Sequence, residues 1–318
     1  MQYNRLMLSQ KTAVLLRSLA DNYETSDFLR DDPSQFMHRF GDPLDQELFA
    51  FVAAQLAFGK RELFIAKLNA LYDAVIAGKP KTAATSLAQT KNAGKPKTRG
   101  AAGERCHCPT RSGNPTGQNA VFARWLLDGG HNKFFAKSQK KFYRFFSYAD
   151  MNVLCGRLAE IVRQSGSLGT AVRAAYEAAP LGLTKNYGKT KRSAAHLGLA
   201  AVPRELRLVS ALISLFPGVK CVSQNPKGAC KKLHMFLRWM VRQGSPVDLG
   251  LWKWASAADL LIPLDTHVLQ ESARLGLIAE SAPASAKTAI ELTQKMAQVF
   301  AGDPARADYA LFGLGVDK

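Results

Sequence analysis

Apolar residues in this chain recur three and four positions apart, and no stretch sustains the strict alternation of a half-buried strand. The clearest run is Leu48, Phe51, Val52, Gln55, Leu56 and Gly59, whose spacing predicts a buried helix punctuated by Gly59-Lys60-Arg61. Helical spacing resumes over Leu63 to Val75, Met151 to Ala178 and Pro203 to Leu215. With 318 residues, 47% of them apolar, the chain can bury one large core or two modest ones. The expectation is an all-α protein without internal repeats.

Charge narrows the partners. Lys and Arg number 43 against 25 Asp and Glu, a net +18, which favours an anionic partner because each cation laid on a phosphate releases counterions. Part of the surplus lies in residues 79–119, where eight basic residues face the single acid Glu104 in a Lys/Thr/Gly/Ala/Pro-rich stretch. It reads as a flexible basic insertion. A Gly/Lys-rich link spans Leu181 to Ser193.

Five cysteines form no C-x-x-C pair and no iron–sulfur spacing. Cys106-His107-Cys108 lacks partners at zinc-finger spacing, so no metal and no cofactor is expected. Met1 to Arg17 carries no signal-peptide pattern, and the apolar run Leu48 to Gly59 is too short to span a bilayer. The expectation is a cytoplasmic monomer without membrane contact.

Two regions carry candidate chemistry. Between Val121 and Tyr148, aromatics and cations interleave, Phe142 and Tyr143 among them. Such a patch suits base stacking with phosphate contact, or a core helix with a basic outer face. Further on, Asn225-Pro226-Lys227-Gly228 forms a turn running into a helix whose backbone amides would suit a phosphate. Along that helix Leu233, Phe236, Leu237, Met240 and Val241 share one face. Lys231, Met235, Arg238 and Arg242 fall opposite, with Trp239 on the flank. That second face is either solvated or lines a cleft. Asp265, after the apolar run Leu261-Ile262-Pro263-Leu264, stands where a helix N-cap or a catalytic carboxylate would. His267 begins the same helix.

Pro263-Leu264-Asp265-Thr266-His267-Val268, followed by Arg274-Leu275-Gly276-Leu277, resembles the D-x-H stretch of the helix-hairpin-helix DNA glycosylases, the superfamily of endonuclease III and the 8-oxoguanine glycosylases. Gly228-Ala229-Cys230-Lys231 is similar to the second half of that superfamily's G-x-G-x-K hairpin, which places Lys231 on the nucleophile. Leu48 to Ala57 resembles its first core helix, and Asp308 to Gly315 its closing helix. Leu233 to Arg242 also resembles an uncharacterised bacterial family known only as a domain of unknown function.

There are departures. Pro226 replaces the first hairpin glycine, and Lys231 and Asp265 stand further apart than in endonuclease III, with Asp248 to Trp254 between them. Phe216-Pro217-Gly218-Val219-Lys220 matches the family's P-G-V but lacks the lysine and helix that follow it there. No four-cysteine cluster follows Asp265, so no iron–sulfur centre of the endonuclease III type is expected.

The resemblance implies two helical lobes around a cleft, with residues 1–318 as one domain and 79–119 inserted. It implies excision of a damaged base, an oxidised one among the candidates, from double-stranded DNA, with AP-lyase activity, in a nucleoid-associated protein. Lys231 would attack C1′ and Asp265 would stabilise positive charge on the sugar. Lys227, Gly228, Lys232, Arg238, Arg242, His267, Lys60 and Arg61 would hold DNA, with Lys232, Arg238 and Arg242 easing deprotonation of the nucleophile. A flipped base would enter among Phe142, Tyr143, Met235, Trp239 and Trp252. Lys232 is the alternative nucleophile. The alternative function is a noncatalytic nucleic-acid-binding protein that retains the scaffold.

Overall fold

A computed structural model describes residues 8–78, 119–178 and 203–316. The expected insertion at 79–119 (save Asn119), Cys106-His107-Cys108 and the 181–193 link lie outside the described residues. The chain is mostly helical. In order the helices are α1 (Gln10–Tyr23), α2 (Pro43–Leu56), α3 (Arg61–Ala77), α4 (Val121–Leu127), α5 (Gly130–Phe134) and α6 (Tyr148–Ser165). They continue with α7 (Leu168–Ala178), α8 (Arg207–Ser214), α9 (Lys231–Val241), α10 (Thr266–Arg274), α11 (Ala286–Met296) and α12 (Ala307–Val316). Among the described residues one antiparallel hairpin, β1 (Lys141–Tyr143) and β2 (Phe146–Ser147), interrupts them. Helical periodicity did not foretell it, because strands this short leave no alternation to read.

Local chemistry sets the helix limits. Asp42 caps α2 by accepting from Leu44 N at 2.9 Å, with Pro43 preorganised at the first helical position. From Glu47 to Leu56 every α2 residue is buried, as expected of a helix apolar all round. Ser147 and Asp150 close a reciprocal capping box on α6. Gly166, at φ +77°, splits the long pattern from Met151 to Ala178 into α6 and α7.

Helices α2 and α9 pack against each other at the centre, α1 and α10 pack on α12, and α7 packs on α8. Glu47 joins distant parts. Its buried carboxylate accepts from Leu168 N and Gly169 N at the start of α7, both at 2.8 Å, and from Trp252 Nε1 at 2.6 Å. Burial raises its pKa above the ordinary glutamate value, and these three donors oppose that shift. No helix among the described residues is long and apolar enough to cross a membrane.

Candidate functional site: a lysine and two carboxylates at one cavity

Three helix starts converge on a cavity of about 470 Å³. Lys231 opens α9 after Cys230, which adopts the left-handed conformation at φ +44°. Asp265 caps α10, its Oδ1 accepting from Val268 N at 2.9 Å. Its other oxygen, Oδ2, lies 3.8 Å from Lys231 Nζ. Asp265 is therefore a helix cap and the partner of a lysine at once. Asp308, in the first turn of α12, lines the same cavity.

The rest of the wall comes from Phe58, Gly59 and Arg61 at the α2–α3 junction, from His267 on α10, and from Met235 and Arg238. Met235 and Arg238 lie one and two turns along α9 from Lys231, which puts all three on one helix face. Burial pushes the Asp308 carboxyl up to about 6. Arg238 and Lys231 pull it down, whereas the Asp265 charge pushes it further up. The two carboxylates and the lysine thus sense one another across the cavity.

Sequence-expected residues divide sharply by placement. Lys231, Asp265, Met235, Arg61 and His267 line the cavity, and Lys60 is exposed beside it. Arg238 and Arg242, expected on phosphates, are each 3% exposed and held in ion pairs. Both pair with the fully buried Asp248, Arg238 also with Asp308, and Arg242 also with Asp303 at 2.9 Å and Glu24 at 2.8 Å. Burial alone would weaken the Arg238 charge, yet Asp248, Tyr309 and Asp308 hold its pKa above the ordinary arginine value. Both guanidiniums are committed to buried ion pairs, although Arg238 also lines the cavity.

Lys232 likewise points inward. Its Nζ donates to the carbonyls of Gln55 and Cys221, both at 3.2 Å, and sits over the Phe58 and Phe146 rings. Burial pushes it down to about 8. It does not line the cavity, which separates it from Lys231 as a candidate nucleophile.

Two amides of the expected phosphate turn bond within the turn itself. Lys227 N donates to Asn225 Oδ1 at 3.0 Å and Gly228 N to Asn225 O at 3.1 Å, and Gly228 bridges to Ser285. The left-handed positions in the α8–α9 connection are Gly218 and Cys230, so the Phe216-to-Lys220 stretch forms the tight turn. The Gln224 amide clamps that turn by donating to Phe216 O, Val219 O and Val222 O.

Four of the five expected base-pocket residues are core. Trp239 is fully buried, Trp252 is bound to Glu47, and Phe142 packs on Phe135 and Tyr148. Tyr143 donates its hydroxyl to Phe58 O. Met235 alone of that set lines the cavity.

Asp308 was missed as a site residue. Its signal was present: it is the one charged side chain in Ala307–Val316. A lone carboxylate in an apolar helix needs a partner or a purpose. Among the described residues no cluster of three His, Cys, Asp or Glu side chains could hold a metal ion.

The chain matches the family described as "Protein of unknown function (DUF2400)" over residues 32–102 and 119–317, and it belongs to that family. No curated protein and no solved structure gives a significant match.

Proposed function

For this member of the DUF2400 family, we propose a DNA N-glycosylase with AP-lyase activity, built on the helix-hairpin-helix plan with two helical lobes about the cavity. The observation that carries the reading is the 3.8 Å approach of Lys231 Nζ to Asp265 Oδ2 at the wall of one cavity, each residue opening its own helix. The cavity volume falls within the range of about 300–1,000 Å³ found for small-ligand pockets, enough for an extruded nucleoside.

In this mechanism the Lys231 nitrogen, as the free amine, forms a bond to C1′ while the C1′–base bond breaks. The electron pair leaves with the base, which takes up a proton. Asp265 faces the positive charge that develops on the sugar in the transition state. Ring opening at O4′ then yields a Schiff base, and loss of a C2′ proton expels the 3′ phosphate. Lys60, Arg61 and His267 supply exposed groups for phosphates at the rim. Double-stranded DNA carrying a damaged base is the substrate class, and association with the nucleoid follows from it.

Borohydride reduces the Schiff base to a stable adduct, so trapping on duplexes carrying 8-oxoguanine, an oxidised pyrimidine or an abasic site tests the reading. A covalent adduct that Lys231→Gln abolishes supports it. No adduct on any duplex, with salt-sensitive binding retained, leaves a noncatalytic nucleic-acid-binding protein. No binding at all removes both readings.

A further inference from the structure

The hairpin between β1 and β2 ends in an arrangement that core packing does not explain. Phe145 at its tip is 64% exposed, although its neighbours Tyr143 and Phe146 are buried. The ring lies parallel to Phe58, with centroids 6.1 Å apart and 3° between the planes. Phe58 itself lines the cavity, so Phe145 extends an aromatic step from the cavity rim into solvent.

The tip is held there by a close fit. Arg144 occupies the left-handed region at φ +45°, which costs an L-residue about 1 kcal/mol. Its guanidinium lies 5.9 Å from the Phe58 centroid and 5.5 Å from that of Phe145. Gly59, at φ +83°, makes room for it. A Cβ at that position would stand 2.7 Å from Arg144 Nη1 and 2.9 Å from the Tyr143 hydroxyl oxygen. Tyr143 in turn donates to Phe58 O, tying the hairpin to the rim from beneath. Phe145 thus rests against Phe58 and Arg144 while most of its surface stays open to solvent.

Charge selects among occupants for that exposed surface. Arg144, Lys140 and Lys141 on the hairpin, and Lys60 and Arg61 on the rim, are all exposed; Glu62 stands among them, and the carboxylates Asp32, Asp265 and Asp308 line the cavity itself. Aromatic surface framed by cations suits a nucleic-acid strand, since the ring accepts a base and the cations take its phosphates.

We propose that Phe145 is a stacking platform for an unpaired nucleobase, and that Arg144, Lys60 and Arg61 hold the adjoining phosphates. The proposal rests on the nucleic-acid reading above and adds to it a second base site, outside the cavity.

The test is fluorescence titration of an oligonucleotide with 2-aminopurine in an unpaired bubble, using wild type, Phe145→Ala and Phe145→Trp. Stacking contributes about 1–3 kcal/mol per base, which corresponds to roughly 5- to 150-fold in Kd. Phe145→Ala is expected to weaken binding within that range and to lose the quenching of 2-aminopurine, with its melting temperature unchanged. Phe145→Trp is expected to retain both signals.

Equal affinity and equal quenching in wild type and Phe145→Ala overturn the platform and leave the functional reading standing. A wild type that binds no oligonucleotide overturns both. A wild-type dimer in sedimentation that Phe145→Ala dissolves shows the ring covering a second copy of the chain, and overturns the platform as well.

Discussion

Lys231 and Asp265 meet amine to carboxylate at 3.8 Å, with 31% and 36% of their side-chain surfaces exposed. A pair so exposed contributes at most about 1 kcal/mol to folding. Lys231→Gln should therefore melt within a few degrees of wild type while losing Schiff-base trapping. A variant that still traps at the wild-type rate sinks Lys231 as nucleophile.

Asp265 needs two substitutions, because it caps α10 as well as facing Lys231. Asp265→Ala removes cap and charge, and should cost about 1 kcal/mol of stability. Asp265→Asn keeps a side-chain acceptor for Val268 N and should recover most of that loss. If the carboxylate stabilises charge on the sugar, both variants should lower the trapping rate by about 100-fold or more. Recovery of rate together with stability in Asp265→Asn would reduce Asp265 to a cap.

How much of this was legible depended on what each residue answers to. Leu48 to Leu56 announces a buried helix because local spacing and burial agree there. Lys231 and Asp265 were legible as helix starts, the first after a Pro/Gly turn and the second at the N-cap position that ends an apolar run. Arg238 and Arg242 misled, since periodicity puts them opposite the apolar face of α9, as a solvated stripe would be. Of the carboxylates that draw them inside, Glu24, Asp303 and Asp308 come from distant parts of the chain, and Asp248 from the loop just past the end of α9. No window along α9 contains that information. Trp252 misled likewise, because its partner Glu47 lies on α2.

Asp248 offers a direct measure of that buried network. It is fully buried and faces both Arg238 and Arg242. Removing one partner of a buried ion pair leaves an uncompensated charge, at a cost of about 3–5 kcal/mol. Asp248→Ala should fall in that range by chemical denaturation. A loss below about 1 kcal/mol would show that Asp303, Asp308 and Glu24 suffice to neutralise both arginines.

Asp308 should report the charges around the cavity. Its carboxyl titrates at about 6, against 3.8 for an unperturbed aspartate, so the folded state binds its proton more tightly than the unfolded chain. The stability this group confers is complete below about 3.8 and is lost as pH rises through about 6. The Lys231 charge lowers its pKa and the Asp265 charge raises it. Lys231→Gln should therefore move the titration up, and Asp265→Asn should move it down. Carboxyl carbon NMR shifts recorded against pH measure both, and shifts of the opposite signs would break the electrostatic link among the three residues.

Lys232 makes the opposite case, a buried amine rather than a buried acid. Its pKa falls from 10.5 to about 8, first because burial penalises the ammonium and then because Lys231 stands beside it. Between pH 8 and 10.5 the unfolded chain binds a proton at this position that the folded state has released. Stability should therefore rise across that window, by on the order of 2 kcal/mol for this group. Lys232→Met keeps the stem over Phe58 and Phe146, removes the titration and gives up the two bonds to the carbonyls of Gln55 and Cys221. The difference in unfolding free energy between wild type and Lys232→Met should grow in favour of wild type from pH 7.5 to 10. A difference that stays flat would show that Lys232 remains charged in the fold. Trapping should survive in Lys232→Met, because the amine faces the core and not the cavity; its loss in a folded variant would return Lys232 to contention as nucleophile.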